Sequence, residues 1–313
     1  MIQPDAKALL SQSAESGAPK VRDLPPETAR QMMVQLMGAL DLPPLVSVTT
    51  EDLVIPGPMA SLGGRLYLPR EIGGGAVIAY FHGGGWVVGG LDSHDSFCRY
   101  LADRLKLRVV SVDYRLAPEH PFPAAYDDGI AAVQWLLTSP QLLGRTVEGV
   151  GVAGDSSGAN IAVGVSGALS SSLQAQLLFY PATDISRQTE SYATFGEGYL
   201  LERADVEYFS WCYVPDEKQR SDPRVSPLFL EQLDHVPPAV ILTCGLDVLR
   251  DEGRAYAAKL LSSGVTVIFR EAGGLIHGLV TLRGVLPSAI PVLNLCIDDF
   301  GRRLNAPAAS ARS

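Results

Sequence analysis

A serine between two glycines occupies the most informative segment of the sequence. Gly154–Gly158 reads Gly-Asp-Ser-Ser-Gly; the apolar run Val147–Ala153 precedes it and the small apolar stretch Ala159–Leu169 follows it. A Gly-x-Ser-x-Gly turn between a buried strand and a helix projects the serine hydroxyl above the sheet at the helix N-terminus. The segment therefore predicts a nucleophile elbow with Ser156 as the nucleophile, and we expect Asp155 to brace the elbow or a segment above it.

A serine hydroxyl becomes a useful nucleophile only when an imidazole takes its proton and a carboxylate orients that imidazole. In sheet proteins with this elbow, the acid and the histidine follow the serine in the chain. Of the two downstream histidines, His235 precedes an apolar run, which is the wrong end for a site at strand carboxyl ends. His277 lies in a glycine-rich segment after the run Val265–Arg270. We predict His277 as the general base.

The acid is predicted from its place after a strand. Asp247 follows the apolar run Ala239–Cys244 almost directly. Asp251 and Glu252 remain alternatives, although they fall where the first turn of the next helix is expected and where negative charge suits the helix dipole. Asp184 also ends a predicted strand, but earlier in the chain. We predict Asp247 as the acid.

Three consecutive glycines, in His82–Trp86, follow the predicted strand Ala76–Phe81. Glycines leave main-chain N–H groups free to point at a reacting carbonyl, and a His-Gly-Gly-Gly loop together with the N–H of the residue after the nucleophile forms an oxyanion hole. That residue is Ser157. We expect His82 itself to orient the loop.

A second glycine pattern points elsewhere and is rejected. Gly149–Gly154 matches Gly-x-Gly-x-x-Gly, but a dinucleotide site also needs an acidic residue about 20 positions later. None stands between Asp155 and Asp184. The sequence also contains no P-loop lysine motif and no His-Glu-x-x-His, and His94 and His120 stand alone. We predict no cofactor and no metal.

The elements that must position these residues alternate along the chain from about residue 50. The predicted strands are Leu62–Leu68, Ala76–Phe81, Arg108–Tyr114, Val147–Ala153, Gln174–Tyr180, Ala239–Cys244 and Val265–Arg270. Helix-like stretches include Ser96–Leu105, Ala124–Leu137 and Arg250–Ser263. Alternating strands and helices predict an α/β fold with a mostly parallel sheet and helices on both faces.

Two segments do not fit this alternation, and we interpret both as a helical cap over the site. The first is 1–45, in which Glu27–Leu40 has helical spacing of apolar residues at 29, 32, 33, 36 and 40. The second is 185–236, which is rich in Tyr, Glu, Arg and Pro. The catalytic domain is then predicted over 46–184 and 237–313.

Composition limits the partners and the compartment. The chain has 313 residues, a net charge of −9 and four widely spaced cysteines without a Cys-x-x-Cys pair. An acidic chain disfavours nucleic acid or an anionic membrane as the main partner. The cysteine spacing predicts reduced, buried thiols rather than a disulfide framework. Because we find neither a signal-like apolar segment near Met1 nor an apolar run of membrane length, we expect a cytoplasmic protein.

The motifs together resemble one family. His82–Trp86, Asp113–Glu119, Gly154–Gly158, Asp247–Gly253 and His277-Gly278 occur in that order. In this the chain resembles the bacterial hormone-sensitive-lipase-like esterases (family IV) of the α/β-hydrolase fold, over about residues 50 to 300. The resemblance implies hydrolysis of short- to medium-chain carboxylic esters without a cofactor, a cap built partly from the N-terminus, and a possible homodimer.

The resemblance also implies that the second and third glycines of the loop, Gly84 and Gly85, donate to the oxyanion. Three positions depart from the family pattern: Ser157 stands where Ala is usual, Val248 where Pro is usual, and Leu279 where Phe is usual. Because only the N–H of Ser157 is needed and the other two affect packing, we expect the chemistry to survive these changes.

Aromatic residues are the predicted lining of the substrate pocket: Trp86, Tyr192, Phe195, Tyr199 and Trp211. Solvent-facing aromatics of a cap would give the same pattern. Two other functions stay open. A non-catalytic small-molecule binding protein could use the same scaffold, and an amidase, lactonase or deacetylase could use the same three residues.

Overall fold

The computed structural model describes residues 1–304, and its centre is one eight-stranded sheet. The strands are β1 (Val48–Ile55), β2 (Leu62–Pro69), β3 (Ala76–Phe81), β4 (Arg108–Asp113), β5 (Gly149–Asp155), β6 (Leu173–Phe179), β7 (Ala239–Leu246) and β8 (Val267–Ile276). Their order in the sheet is β1-β2-β4-β3-β5-β6-β7-β8. The β1–β2 and β2–β4 pairs are antiparallel, and all other pairs are parallel. The predicted mostly parallel sheet is confirmed.

The helices are α1 (Pro4–Glu15), α2 (Pro26–Leu40), α3 (Asp95–Leu105), α4 (Ala124–Leu137), α5 (Ser157–Ala168), α6 (Glu190–Phe195), α7 (Arg203–Tyr213), α8 (Arg250–Ser262) and α9 (Ile290–Leu304). Helices α4, α5 and α8 pack on one face of the sheet, and α3 and α9 pack on the other. Each face of the sheet has its own hydrophobic core. Within β3, Val77 and Ala79 belong to the core under α4, α5 and α8, and Ile78 and Tyr80 belong to the core under α3 and α9. The strand is buried on both sides, which explains its continuous apolar sequence.

The strand predictions differ from the structure at both edges of the sheet. β1 was not predicted, because this edge strand carries Glu51 and Asp52 and buries only a few of its side chains. β8 runs to Ile276, well beyond the predicted end at Arg270. The pairing with β7 continues through the glycines of β8. Gly245 and Gly273 can approach this closely only without a side chain, because a Cβ on Gly245 would lie 2.1 Å from the Gly273 carbonyl oxygen.

Ion pairs join the N-terminal segment to α7. Arg22 donates to Asp205 at 2.5 Å and to Glu202 at 3.2 Å, and Lys20 also lies 3.2 Å from Glu202. The same acidic residues cap α7, since Glu202 and Asp205 exchange hydrogen bonds with each other's backbone amides. The beginning of the chain is thereby fixed to the residues between β6 and β7.

Both ends of α2 are tied to loops at the carboxyl edge of the sheet. Near its start, Arg30 donates to the carbonyl oxygens of Val87 at 2.9 Å and Ala117 at 3.0 Å. Just past its end, Asp41 accepts two hydrogen bonds from the Arg283 guanidinium, at 2.6 and 2.9 Å. Helix α2 therefore bridges the segment after β3 and the segment after β8.

The four cysteines are unpaired and buried, as predicted. Among residues 1–304, no helix is both long enough and apolar enough to cross a membrane.

The Asp41–Arg283 pair predicts a measurable contribution to stability. Only 4% of the Asp41 side chain and 1% of that of Arg283 are exposed, so Asp41→Ala would leave a buried guanidinium without its charge partner. We expect the free energy of unfolding to fall by about 3–5 kcal/mol. Urea denaturation followed by tryptophan fluorescence measures it.

The matched control is Asp298→Ala. Asp298 makes an equally short pair with Arg104, at 2.7 Å, but on the surface. Its loss is expected to cost less than about 1 kcal/mol. If both variants lost the same free energy of unfolding, the prediction that the buried pair contributes more to stability than the surface pair would be wrong.

Candidate active site

The serine turn between β5 and α5 is strained, and glycines make it possible. Ser156 has φ 54° and ψ −120°, a positive φ that non-glycine residues rarely adopt. A Cβ on Gly158 would lie 2.1 Å from the Phe81 carbonyl oxygen, and one on Gly154 would lie 2.5 Å from the Gly158 backbone. The Ser156 amide donates to the carbonyl oxygen of Phe179, the last residue of the neighbouring strand β6, at 2.9 Å. The hydroxyl is thereby held above the sheet at the start of α5.

A continuous hydrogen-bonded chain runs from this serine to a buried carboxylate. His277 Nε2 lies 2.9 Å from Ser156 Oγ, and His277 Nδ1 lies 2.8 Å from Asp247 Oδ2. The other carboxylate oxygen of Asp247 accepts the Leu249 amide at 3.0 Å. The structure thus brings together the three residues predicted as nucleophile, base and acid, each at the carboxyl end of a different strand.

The His277 ring is positioned by Tyr180 as well as by its hydrogen bonds. The two ring centroids are 4.5 Å apart. The Tyr180 hydroxyl accepts the Val280 amide at 3.2 Å, which ties the tyrosine to the segment that carries the histidine. The imidazole consequently has little freedom to turn away from Ser156.

The alternative acids bind elsewhere. Asp251 lies 2.8 Å from the Arg250 guanidinium and accepts the Ser191 amide at 2.8 Å. Glu252 is buried and accepts the Thr183 amide at 2.7 Å.

The remaining two candidates are also engaged away from the imidazole. Asp184 pairs with Arg187 at 2.7 Å. His235 is exposed and lies 3.2 Å from its neighbour Asp234. Of the four candidate acids, the structure therefore places Asp247 beside His277. Asp184, Asp251 and Glu252 bind other groups.

The glycine loop after β3 faces the same point. Gly84 and Gly85 have φ 125° and 61°, respectively. A Cβ on Gly84 would lie 2.1 Å from the Val88 carbonyl oxygen, and one on Gly85 would lie 2.2 Å from the Phe209 ring. The predicted third donor, Ser157, is the first residue of α5, and an amide at that position has no acceptor within its own helix.

Asp155 connects this loop to the serine turn. Its Oδ1 accepts the Tyr80 hydroxyl at 2.7 Å and the Gly83 amide at 2.9 Å, and it lies 3.2 Å from His94 Nε2. Burial alone would raise the pKa of Asp155, but the neighbouring His94 and these hydrogen bonds lower it below the ordinary value. A carboxylate next to Ser156 in sequence thus fixes the position of the glycine loop.

His82 is a part of the loop's support. It is fully buried and stacks on Tyr114, with ring centroids 4.3 Å apart. Burial, followed by the charge of His94, lowers the pKa of His82 to about 3. The ring is therefore neutral at physiological pH and is not placed to act on the serine. His94, which stands alone in the sequence, lies 3.2 Å from Asp155 and 2.9 Å from the Ser93 hydroxyl.

A cavity of about 290 Å³ lies above Ser156, His277 and the glycine loop. Of the five aromatic residues predicted to line it, only Trp86 does, and its ring stacks on Tyr213 at 4.5 Å. Among the residues that sequence reasoning missed, the cavity is lined by Ile185, Leu200, Leu201, Val206, Phe209, Leu249 and Leu282, and from the N-terminal segment by Leu9, Met32, Met33, Leu36, Met37 and Leu40.

The other four predicted aromatic residues do not line this cavity. Trp211 is 60% exposed on the outer side of α7, because it lies two residues, or about 200° of helical rotation, from the cavity-lining Phe209. Tyr192 and Phe195 are buried in the core rather than against the cavity. Tyr199 packs edge-on against Phe195, with ring centroids 5.2 Å apart. The helical spacing of apolar residues in Glu27–Leu40 was the sequence signal that could have identified part of the cavity lining.

Comparisons with known proteins agree with this geometry. A family model described as the alpha/beta hydrolase fold matches residues 78–281. The chain is 39% identical to the carboxylic ester hydrolase LipN of Mycobacterium tuberculosis over 76% of this chain and 66% of the relative. It is 33% identical to the ethyl acetate hydrolase of Pseudomonas putida over 97% of this chain and 99% of the relative.

The chain belongs to the hormone-sensitive-lipase-like esterases (family IV) of the α/β-hydrolase fold. A solved ester hydrolase from the metagenome of Lake Arreo, in complex with a bipyridine phosphonate derivative, superposes on this esterase with a TM-score of 0.92. The two are 35% identical over 98% of this chain and all of that one. The predicted fold and family are confirmed, and the esterase is a serine carboxylic-ester hydrolase.

The close packing of the glycine loop predicts a sharp loss of activity in Gly84→Ala. A methyl group at this position would collide with the Val88 backbone, and alanine rarely adopts the positive φ that Gly84 has. The loop and its amides would therefore have to move. We expect kcat to fall by about 10²–10³-fold, the usual cost of losing an oxyanion donor. Steady-state hydrolysis of p-nitrophenyl acetate measures this.

Gly90→Ala serves as the control in the same loop. A Cβ on Gly90 would meet no atom within 4 Å, and this glycine does not need a positive φ. Its kcat is expected to stay within about twofold of wild type, since surface changes of this kind are usually small. A comparable loss in both variants would show that the loop's general stiffness, not the position of its amides, matters.

Proposed function

We propose that this esterase hydrolyses short- to medium-chain carboxylic esters through an acyl-enzyme, with Ser156 as nucleophile, His277 as general base and Asp247 as the orienting acid. The observation that carries the proposal is the unbroken hydrogen-bonded chain from Ser156 Oγ through the His277 ring to Asp247. In hydrolases this chain is recognised by its geometry and roles. A cavity large enough for a small ester opens directly on the serine.

In the acylation step, His277 Nε2 takes the proton of Ser156 Oγ as the oxygen attacks the ester carbonyl. The Asp247 carboxylate stabilises the imidazolium that forms and holds Nδ1–H toward itself, which leaves Nε2 free as the acceptor. The same imidazolium then donates its proton to the departing alcohol oxygen. The bond between the carbonyl carbon and the alcohol oxygen breaks, and the acyl group remains on Ser156.

The negative charge that develops on the carbonyl oxygen is assigned to three main-chain amides, those of Gly84, Gly85 and Ser157. Two of these belong to the glycine loop and the third begins α5, so the partial positive charge of a helix N-terminus adds to them. Within residues 1–304, the amides of Gly84 and Gly85 donate no hydrogen bond to another backbone group. Donors that are not otherwise engaged can bind an oxyanion without first breaking a bond.

In the second half of the reaction, His277 takes a proton from water, and the resulting hydroxide attacks the acyl carbon. The oxyanion site binds the second tetrahedral intermediate in the same way as the first. When it collapses, His277 returns the proton to Ser156 Oγ and the carboxylic acid leaves. This cycle needs no metal or cofactor.

The domain organisation belongs to the same proposal. Residues 1–45 and 185–236 act as the cap, and 46–184 and 237–304 form the catalytic domain; the last predicted part of that domain, 305–313, lies outside the described residues. Support comes from the cavity, whose apolar lining is drawn largely from α2, α7 and their neighbouring loops. The ion pairs between Arg22 and the acidic start of α7 hold the two parts of the cap together.

The alternative of a non-catalytic binding protein explains neither the strained Ser156 backbone nor its contact with an imidazole that is itself backed by a carboxylate. An amidase, lactonase or deacetylase would use the same three residues. Those bonds are distinguished from simple esters by substrate profiling, with anilide, lactone and acetylated-sugar substrates beside the ester series.

Ser156→Ala is expected to reduce hydrolysis of p-nitrophenyl esters by at least about 10³-fold, because the remaining amides cannot form the acyl-enzyme. A p-nitrophenyl series from acetate to palmitate, with wild type and variant side by side, measures this. Wild-type activity should peak at short to medium chains.

Ser166→Ala is the matched control, because it removes a hydroxyl from α5, the helix that Ser156 directly precedes, at a buried position away from the cavity. It should retain wild-type turnover. Circular dichroism establishes that both variants are folded. Full turnover in a folded Ser156→Ala protein would refute the assignment of the nucleophile.

We further propose a cytoplasmic homodimer, without nucleic acid as a partner, that pairs through the outer edge of β8. The four unpaired thiols support a cytoplasmic location. The net charge of −9 disfavours nucleic acid as a partner. β8 lies last in the sheet order, so its outer edge carries backbone groups that a second copy can pair with.

Light scattering is expected to give twice the chain mass of 33.4 kDa. Phe269→Pro, within β8, should reduce this to the mass of one chain, because proline cannot donate to a ladder of hydrogen bonds. A monomeric wild type would refute the dimer.

A further inference from the structure

Two buried polar residues just before α3, Ser93 and His94, take no part in the proposed reaction. Each is only 5% exposed. His94 lines the cavity that opens on Ser156. Because water is largely excluded from such a position, a charge on the His94 ring would act strongly on the groups beside it. The protonation state of this ring therefore bears on the site.

The hydrogen bonds of Ser93 determine one of the ring protons. Ser93 Oγ accepts the Gly90 amide at 3.0 Å and donates to the Gly90 carbonyl oxygen at 2.9 Å. A hydroxyl has one hydrogen to donate, and the carbonyl, which is only an acceptor, takes it. His94 Nδ1 lies 2.9 Å from the same Oγ. His94 Nδ1 must therefore carry a hydrogen and donate it to Ser93.

The other ring nitrogen faces a carboxylate. His94 Nε2 lies 3.2 Å from Asp155 Oδ1, which also accepts the Tyr80 hydroxyl and the Gly83 amide. Burial alone would raise the pKa of Asp155, but the charge of His94 and these hydrogen bonds lower it, so the carboxyl group is ionised. An ionised carboxylate only accepts hydrogen bonds, so Nε2 must donate. A histidine that donates from both nitrogens is an imidazolium.

The titratable side chains that face this pair from the adjoining strands and from α3 are neutral: Tyr80, His82, Cys98 and Tyr180. Burial raises the pKa of both tyrosines and of the thiol, and it lowers the pKa of His82 to about 3. The charged groups around them have partners of their own: Asp92 and Asp95 with Arg65, Arg99 with Asp95, and Arg283 with Asp41. Across the cavity lie His277, Lys20 and Asp205, which are likewise paired. The His94–Asp155 pair is thus the ion pair next to the glycine loop.

We propose that His94 is a positioning residue for the oxyanion site: as an imidazolium, it holds the Asp155 carboxylate where that carboxylate fixes Gly83. This inference rests on the proposed ester hydrolysis and on the assignment of Gly84 and Gly85 to the oxyanion. Those two glycines directly follow Gly83, whose amide donates to Asp155 at 2.9 Å. The position of the ion pair thereby determines the position of the amides.

The proposal has a direction with pH. When the ring loses one proton, the positive charge beside Asp155 disappears, and one hydrogen bond of the chain from Gly90 to Asp155 can no longer be made. A hydrogen bond between charged groups is roughly twice as strong as one between neutral groups. The support of Gly83 is therefore present at lower pH and weakens as the pH rises, and kcat falls with it.

The test compares two substitutions of His94. Leucine removes both donors, whereas glutamine keeps an N–H group near the position of Nε2 but carries no charge. We expect His94→Leu to lower kcat for p-nitrophenyl acetate by about 10- to 100-fold, since a displacement of about 1 Å can cost about 10²-fold. KM should change by less than about threefold, because the loop amides bind the transition state more strongly than the ester. His94→Gln should recover part of the loss.

His235→Leu is the matched control. His235 also lies 3.2 Å from an aspartate, Asp234, but it is on the surface and does not line the cavity. Its kcat should stay within about twofold of wild type. Thermal denaturation establishes that the variants are folded. Wild-type kcat in a folded His94→Leu protein would overturn the inference.

A pH series separates this role from one in packing alone, and it needs only wild type and His94→Gln. Side-chain 15N NMR of histidine-labelled protein shows which ring nitrogens carry protons, and the signal absent from His94→Gln identifies His94 among the five histidines. We expect both nitrogens to be protonated below an alkaline decline in kcat and one proton to be lost across that decline. His94→Gln should lack the decline. A constant wild-type kcat while the ring loses its proton, or the same decline in His94→Gln, would refute the inference.

The two proposals fail differently. Wild-type protein that cleaves no ester would refute the proposed function and this inference together. Wild-type protein that cleaves p-nitrophenyl acetate, with activity lost in Gly84→Ala but kept in folded His94→Leu, would leave the proposed function standing and refute the role of His94 alone.

Discussion

The close approach of Gly158 to the end of β3 is the constraint on which the site depends. With only a hydrogen in place of a side chain, α5 can start directly beside the Phe81 carbonyl. That contact forces Ser156 into a positive φ and brings the serine turn next to the glycine loop, which leaves β3 at the same place. A larger residue at 158 would separate Ser156 from the glycine loop that is proposed to donate to the oxyanion. The strain at Ser156 is maintained because the packing around it allows no alternative.

Charged groups organise what surrounds this contact, and each does so through backbone atoms. Asp155 fixes the Gly83 amide, Arg30 binds the Val87 and Ala117 carbonyls, and Asp247 accepts the Leu249 amide. A charge that is hydrogen-bonded to main chain holds a loop more precisely than a surface ion pair, because the backbone has fewer degrees of freedom than a long side chain. The loops at the carboxyl edge of the sheet are thus positioned by buried polar contacts, while the cavity above them is largely apolar.

The three residues proposed as catalytic could be placed together from the sequence because each follows a strand, and strand ends of a parallel sheet converge in space. Ser156, Asp247 and His277 needed only local patterns and their chain order. The cavity lining could not be found in this way, because it depends on how α2 and α7 rotate about their axes after packing. Trp211 was predicted and Phe209 overlooked, although they are two residues apart on one helix. β1 was missed because an edge strand with Glu51 and Asp52 lacks an apolar signature.

The weak packing of α2 is informative when it is considered together with its attachment. A helix whose apolar side chains leave the cores largely untouched would contribute little to stability by itself and would be free to leave the sheet. Instead, polar contacts hold both of its ends: Arg30 at the start and the buried Asp41–Arg283 pair just past the end. These contacts at the ends hold the helix in place, while the side chains in its middle line the cavity. This division explains how an apolar helix face can lie beside Ser156 without being packed into a core.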